Sequence, residues 1–325
     1  MKAIVYTKYG SPDVLQLKEV EKPTPKDDEV LIKVHATSVN ASDWEALRGK
    51  PLYARIGGLL KPNHKILGSD VAGRVEAVGK NVKQFQPGDE VFGDIFGCKG
   101  GFAEYVCAPE KTLMLKPSSM TFEQVAALPQ AACIALQGIR DKGQIQPGQK
   151  VLINGAGGGA GSFAVQIAKS FGAEVTGVDS TRKLDMMRSI GADHVIDYTQ
   201  EDFTQNGQCY DLILDLAAYH SVFDYKRALR PKGIYLMVGG SVALIFKLLF
   251  LGPWISMSGG KKMGLLAMKT NKDLAFIIDL FETGKAVPII DRCYTLSEVP
   301  EALQYLGEGH ARGKIVITLE HTNQT

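Results

Sequence analysis

The run Asn154-Gly155-Ala156-Gly157-Gly158-Gly159-Ala160-Gly161 constrains this chain more than any other stretch. Before it, Val151-Leu152-Ile153 is a short apolar run of buried-strand type. After it, Ala160, Phe163, Ala164, Ile167, Ala168 and Phe171 recur at helical spacing, and Gly172 is placed to stop the helix. A flexible linker would not sit between two such regular patterns. Glycine has no Cβ, so the turn can be tight and a ligand can approach the backbone closely. Free N–H groups at the helix N-terminus suit a pyrophosphate. A dinucleotide fingerprint also needs an acidic residue about 20 positions on, at the end of the next strand. Asp179, after the strand Glu174 to Val178, meets that requirement.

Gly155, Gly158, Gly159, Ala160 and Gly161 are therefore the expected cofactor contacts, joined by Asp179, Ser180 and Arg182. The identity of the dinucleotide stays open. A carboxylate at Asp179 would accept the ribose hydroxyls and repel a 2′-phosphate, which favours NAD. The hydroxyls and guanidinium of Ser180-Thr181-Arg182-Lys183 suit a phosphate, which favours NADP. Arg182 and Lys183 read equally well as a solvated first turn of helix.

The strand–helix alternation continues beyond the loop, with a helix over Arg182 to Ile190 and strands at Val195-Ile196, Leu212 to Leu216 and Ile234 to Val238. That alternation implies βαβ units and a parallel sheet. The first hundred residues have a different texture. Val30, Ile32 and Val34 alternate onto one face, Val71 to Val78 does so less cleanly, and turn signals separate short strands. Helical character begins near Thr121, and Asn271 to Phe281 reads as a helix with Asn271 at its N-cap. The expected organisation is a β domain over residues 1–120, a nucleotide domain over 121–268, and a segment 269–325 that returns to the first domain. The length of 325 residues accommodates two domains.

Composition narrows the class. Hydrophobic residues make up 45% and charged residues 22%, which excludes disorder. The net charge of +2 carries no nucleic-acid footprint. Cys98, Cys107, Cys133, Cys209 and Cys293 are scattered and odd in number, so the expected location is a reducing compartment, the cytoplasm. MKAIVYTKYG at the start has no signal-peptide core, and Ala243 to Leu251 is too short to span a membrane.

Several further segments carry a family resemblance: Val34 to Asp43 (VHATSVNASD), Ile66 to Gly79 (ILGSDVAGRVEAVG), Pro87 to Val91 (PGDEV), Gly101 to Tyr105 (GFAEY), Leu128 to Gln137 (LPQAACIALQ), Met237 to Gly240 (MVGG) and Gly313 to Val316 (GKIV). With the glycine loop and Gly191-Ala192-Asp193, they make the chain resemble the medium-chain dehydrogenase/reductase superfamily, most closely its zinc-free quinone oxidoreductase branch. The resemblance implies an α/β architecture. A GroES-like β-barrel catalytic domain joins a Rossmann nucleotide-binding domain with a doubly wound parallel sheet, and the active site lies between them. It also implies NAD(P)H-dependent hydride transfer.

Zinc-dependent relatives carry a cysteine ligand where this chain has Asn40 and a histidine ligand where it has Ser69. Both are poor zinc ligands beside thiolate and imidazole. The histidines, His35, His64, His194, His220, His310 and His321, form no paired motif. The expectation is a protein without zinc. Lacking a Lewis acid, it would pass hydride to activated acceptors, quinones or enones. Asn40 and Ser42 are the catalytic candidates, Ser42 as donor to an enolate oxygen, with a capping or turn role as its alternative. Asp43 reads as structural. By resemblance, Gln130 approaches the nicotinamide. Val238, Gly239 and Gly240 lie at the end of a parallel strand, where open sheets bind ligand, and the two glycines would let the ring approach the backbone; the alternative is an ordinary strand-to-loop turn.

Ala243 to Trp254 is apolar nearly all round, with Lys247 inside it and Lys261 and Lys262 beyond. It reads either as a buried element or subunit contact, or as a peripheral attachment to a membrane. Lys261 to Met268 falls where relatives pair sheet edges, which implies a homodimer. The competing functions are a dinucleotide-binding sensor without turnover, and an alcohol dehydrogenase.

Overall fold

The computed structural model describes residues 1–319 apart from 57 and 99, so His321 and the end of the expected return segment lie outside the described residues. The chain opens with β1 (Lys2–Val5), β2 (Gln16–Glu19), β3 (Glu29–Val39) and helix α1 (Ala41–Arg48). β4 (Asp70–Val78), β5 (Glu90–Asp94), β6 (Tyr105–Pro109), β7 (Met114–Leu115), α2 (Phe122–Ala126) and α3 (Pro129–Leu136) follow. Strand and helix then alternate through β8 (Lys150–Asn154), α4 (Gly159–Ser170), β9 (Glu174–Asp179), α5 (Leu184–Ser189), β10 (His194–Asp197), β11 (Tyr210–Asp215), α6 (Val222–Ala228), β12 (Leu229–Met237) and α7 (Val242–Gly259). The last elements are β13 (Lys262–Leu265), α8 (Leu274–Glu282), β14 (Ile290–Thr295), α9 (Val299–Gly307) and β15 (Lys314–Thr318).

One compact unit comprises Met1–Gln130, Thr270–Leu274 and the chain from Ile290 on. Its main sheet runs β14-β15-β3-β4-β5-β7, with β6 also on β3. β3 is antiparallel to β4, β6 and β15. The alternating Val30, Ile32 and Val34 are fully buried and pack with Leu47, Phe102 and Ile317. The unit runs on to Gln130 rather than ending at 120, because α2 packs against β3 and β4.

The second unit comprises Ala131–Lys269 and Ala275–Ile289. The segment expected to return whole to the first domain is thus divided. The Gln166 side chain holds the 287 backbone in the second unit, donating to the Val287 carbonyl at 2.9 Å and accepting its N–H at 2.9 Å. Asn271 is not a helix cap. It takes φ +57, and its side chain binds the backbone of Asp94 and Thr112, so α8 starts only at Leu274.

The sheet of this unit is six-stranded and wholly parallel, ordered β10-β9-β8-β11-β12-β13. The order reverses between β8 and β11, and open parallel sheets bind ligands at the carboxyl ends of their strands at such a point. Val151, Leu152 and Ile153 of β8 and Leu212, Ile213 and Leu214 of β11 are fully buried, as strands covered on both faces must be. Register places Asn154 beside Val178 and Asp215, and Asp215 beside Met237. The glycine loop, the Asp179 turn and the Val238–Gly240 turn therefore leave the sheet along one edge.

Candidate functional site

The chain turns after β8 at Gly155, whose φ of +84° lies in the left-handed region that favours glycine. Gly161 meets the same turn from α4, and a Cβ there would stand 2.1 Å from the Gly155 carbonyl oxygen. Gly157 lies under Lys183, whose Cδ would be 2.6 Å from any Cβ. Gly158 is different. Its φ is −87°, and a Cβ would meet nothing nearer than the Gly155 oxygen at 3.4 Å. The open side of the loop is therefore at Gly158. No side chain caps α4, so the N–H groups of its first turn, from Gly159, Ala160 and Gly161, remain for a ligand or water.

Asp179 points into this loop. Its Oδ2 accepts the Gly157 N–H at 2.9 Å, its Oδ1 accepts the Ser180 N–H at 2.8 Å, and Lys183 Nζ lies 3.3 Å away. Asp179 and Lys183 are both buried. The carboxylate expected to face a ribose is thus a clasp that holds the loop closed, and its charge is matched by an ammonium. Lys183 is not part of a solvated turn, whereas Arg182 is exposed and Ser180 half-buried. A second clasp lies below. Asn154 Nδ2 donates to Asp215 Oδ1 at 2.8 Å, and the Tyr235 hydroxyl donates to Asp215 Oδ2 at 2.8 Å. Burial raises the Asp215 carboxyl above the usual range, and those donors oppose it. Val238 donates its N–H to the Asp215 carbonyl at 2.8 Å, and Gly239 and Gly240 turn the chain at positive φ.

The first unit gathers Asn40, Ser42, Ser69 and Gln130. The Ser42 hydroxyl donates to Gln130 Oε1 at 2.8 Å. Asn40 Nδ2 and Gln130 Nε2 each lie 3.4 Å from Ser69 Oγ. Asn40 is not available as a donor to substrate. Its Nδ2 binds Asp70 Oδ2 at 2.9 Å, its Oδ1 accepts Lys314 Nζ at 2.5 Å, and its backbone N–H is held by Asp43 at 3.0 Å. It is a buried capping and bridging residue at the start of α1. Asp43 is structural, its other oxygen accepting the Gly68 N–H at 3.1 Å.

Three buried ionisable residues complete this cluster, and sequence reasoning passed over them. Asp70 also accepts Ser38 Oγ at 3.0 Å and the Gln130 N–H at 3.1 Å, with Lys314 Nζ at 3.7 Å. Burial raises the Asp70 carboxyl and lowers the Lys314 ammonium, and each partner's charge opposes the other's shift. Asp94 has one oxygen on the Phe96 N–H at 2.8 Å, while its buried Oδ2 has no hydrogen-bond partner among the described residues. Burial and the charges of Asp70 and Asp43 push its carboxyl up to about 8. The available signal was Lys314 itself, a lysine opening the apolar run of β15.

Residues 26–118 match the alcohol dehydrogenase GroES-like domain family, and residues 190–317 match the zinc-binding dehydrogenase family. The chain is 36% identical to the 2-methylene-furan-3-one reductase of Solanum lycopersicum, covering 98% of this chain and 79% of that protein. It belongs to the medium-chain dehydrogenase/reductase superfamily. The NADPH-dependent alkenal/one oxidoreductase of Arabidopsis thaliana chloroplasts is 33% identical over 98% of this chain and 79% of its own length. The quinone oxidoreductase of Coxiella burnetii superposes with a TM-score of 0.88 at 29% identity, covering 98% of this chain and 99% of its own.

The family implies a nicotinamide dinucleotide, and the loop fits one. An uncapped helix, a left-handed turn and an open side at Gly158 together make a cradle that a side chain would fill. Zinc-dependent members of the superfamily also imply a metal, and here the residues do not fit. The positions Asn40 and Ser69 do converge, but they bring an amide and a hydroxyl, and the neighbouring Asp70 already faces the Lys314 ammonium.

Gly158→Leu should keep the fold and lose cofactor affinity by at least tenfold in a fluorescence titration with NADPH. Gly161→Ala should instead lower the melting temperature. For Asp94, the ordinary carboxyl ionises near 3.8 and burial in the fold pushes it up to about 8. Between those values the fold retains a proton that the unfolded chain releases, so stability falls as pH rises through that window. Asp94→Asn should therefore gain melting temperature over the parent progressively from pH about 4 to about 8, read by thermal unfolding across pH.

Proposed function

We propose that this chain is an NADPH-dependent reductase of quinones and α,β-unsaturated carbonyls that works without a metal ion. The observation that carries this reading is the cluster around Asn40 and Ser69. The positive charge there is an ammonium, Lys314, and it is committed to Asn40 and Asp70. A carbonyl therefore receives no metal polarisation from these residues, and acceptors activated by conjugation suit the site. Relatives named for enone and quinone reduction support that acceptor class.

The cofactor supplies hydride when bound. The chain's own contribution is to hold and orient. Asp179 and Lys183 keep the glycine loop closed around Gly157, and the first turn of α4 offers its N–H groups to phosphate. Ser42 is half-buried and hydrogen-bonded only to a neutral amide among the described residues, so its hydroxyl can turn to a substrate oxygen as charge develops there. Gln130, anchored through its N–H to Asp70, fixes where that hydroxyl starts.

NADPH is favoured over NADH by the inward turn of Asp179. With both carboxylate oxygens engaged and Lys183 paired to it, its repulsion of a 2′-phosphate is largely cancelled, while Arg182 stays exposed beside Ser180. The five cysteines, all free, support the cytoplasm as the location.

Turnover of NADPH with a panel of quinones and enones tests the reading, and a dinucleotide-binding sensor would show none. Chelator should leave the rate unchanged. Ser42→Ala should slow enone reduction by on the order of a hundredfold, and quinone reduction less, because a quinone oxygen becomes a more stable anion. Arg182→Ala should lower the ratio of kcat/KM for NADPH over NADH by on the order of tenfold, equivalent to about 1.4 kcal/mol.

A further inference from the structure

α7 is built inside out for a helix in water. One stripe, Leu244, Leu248 and Ile255, is buried in the second unit, and Gly252 lets the helix sit against the Met263 carbonyl of β13, where a Cβ would stand at 2.7 Å. The opposite stripe should be polar, yet Phe246, Leu249, Phe250, Trp254 and Met257 recur there at spacings of three and four. Phe250 is 79% exposed and Met257 89%. Contiguous apolar surface of this kind marks a docking site.

The stretch of sequence that holds α7 is basic. Between Asp224 and Asp273 the chain has nine lysines and arginines and no acidic residue; Arg227, Arg230 and Lys272 pair with Asp224, Asp211 and Asp273, and Lys247 and Lys262 are not among those paired. The whole chain carries only +2, so the remainder is net negative. Lys247 is exposed on α7 and Lys262 on β13 beside it. Lys261 reaches the Lys226 carbonyl at 2.8 Å and so holds the end of α6 in the same basic region. Among the described residues no helix is long and apolar enough to cross a membrane.

We propose that α7 lies in the plane of an anionic phospholipid surface, its exposed aromatic and aliphatic stripe at the headgroup–acyl boundary and Lys247 and Lys262 on the headgroup phosphates. Phenylalanine, tryptophan and leucine on one face with lysine beside them is the pattern of interfacial helices. Positive charge clustered within a Debye length of the surface adds attraction to acidic lipids. A second copy of the chain is the weaker occupant, because pairing this face with itself would bring two basic regions together. The inference goes beyond the reductase reading and does not depend on it.

The test is sedimentation of the full chain with vesicles of phosphatidylglycerol and phosphatidylcholine, against vesicles of phosphatidylcholine alone. Binding to the acidic vesicles should be at least tenfold tighter and should weaken with salt. With Trp44→Phe as background, the emission of Trp254 should shift to the blue on binding. The double variant Phe250→Ser/Trp254→Ser should lose at least tenfold in vesicle affinity while its affinity for NADPH is unchanged, and Lys247→Gln/Lys262→Gln should flatten the salt dependence. Absence of vesicle binding, or equal binding by the parent and the serine variant, overturns the proposal. So does a dimer in analytical ultracentrifugation that the serine variant dissociates while neither protein binds lipid, which would assign the stripe to a second copy.

Discussion

A single ammonium organises the first unit. Lys314 is buried at the start of β15, and its charge is met by Asn40 Oδ1, at the N-cap of α1, and by Asp70 at the start of β4. Asp70 in turn takes the backbone of Gln130 at the start of α3. Four stretches of chain distant in sequence are thus tied by one buried pair. Such a pair is weak evidence for net stability, because desolvation of both charges offsets their attraction. Its effect is on geometry. Breaking it from one side would leave a lone buried charge, at a typical cost of about 3–5 kcal/mol. That asymmetry keeps Asn40, Ser69, Gln130 and hence Ser42 in one arrangement.

The same cluster also changes the chemistry open to the protein. Where zinc-dependent members of the superfamily place metal ligands, this chain places hydrogen-bonding groups that are satisfied by one another. Within this cluster Asp94 Oδ2 has no hydrogen-bond partner among the described residues, and burial raises that carboxyl, which favours its neutral form. A site of this kind offers directional hydrogen bonds rather than a strong local charge. It suits a reaction whose acceptor is already activated and whose hydride donor arrives with the cofactor.

In the second unit a carboxylate again serves the fold before it serves a ligand. Asp179 holds Gly157 and Lys183 together, and Asp215 holds Asn154 and Tyr235, so the glycine loop rests on two buried acids. The acidic residue of a dinucleotide fingerprint is read as a ribose ligand because of its place at a strand end. Here that place also puts it within reach of the loop's own N–H, and the lysine four residues on completes the contact.

The sequence alone determined whatever depends on local geometry. The glycine loop, its flanking strand and helix, the parallel alternation and the β-rich first hundred residues are set by side-chain period and by backbone angles that only glycine adopts readily. The segments that carry the family resemblance made the absence of cysteine and histidine at Asn40 and Ser69 visible. Tertiary structure alone decided where the polar side chains spend their hydrogen bonds. Asn40 looked like a donor to substrate, but Asp70 and Lys314 consume it. Asn271 looked like a helix cap, but it reaches the backbone of Asp94 and Thr112 from a left-handed turn. The apolar run from Ala243 could be core or surface until packing on β13 buried one stripe of it and left the other in water. Periodicity reports that a face exists. Which partner covers that face, or satisfies a given donor, depends on residues hundreds of positions away, and only the closed fold brings them together.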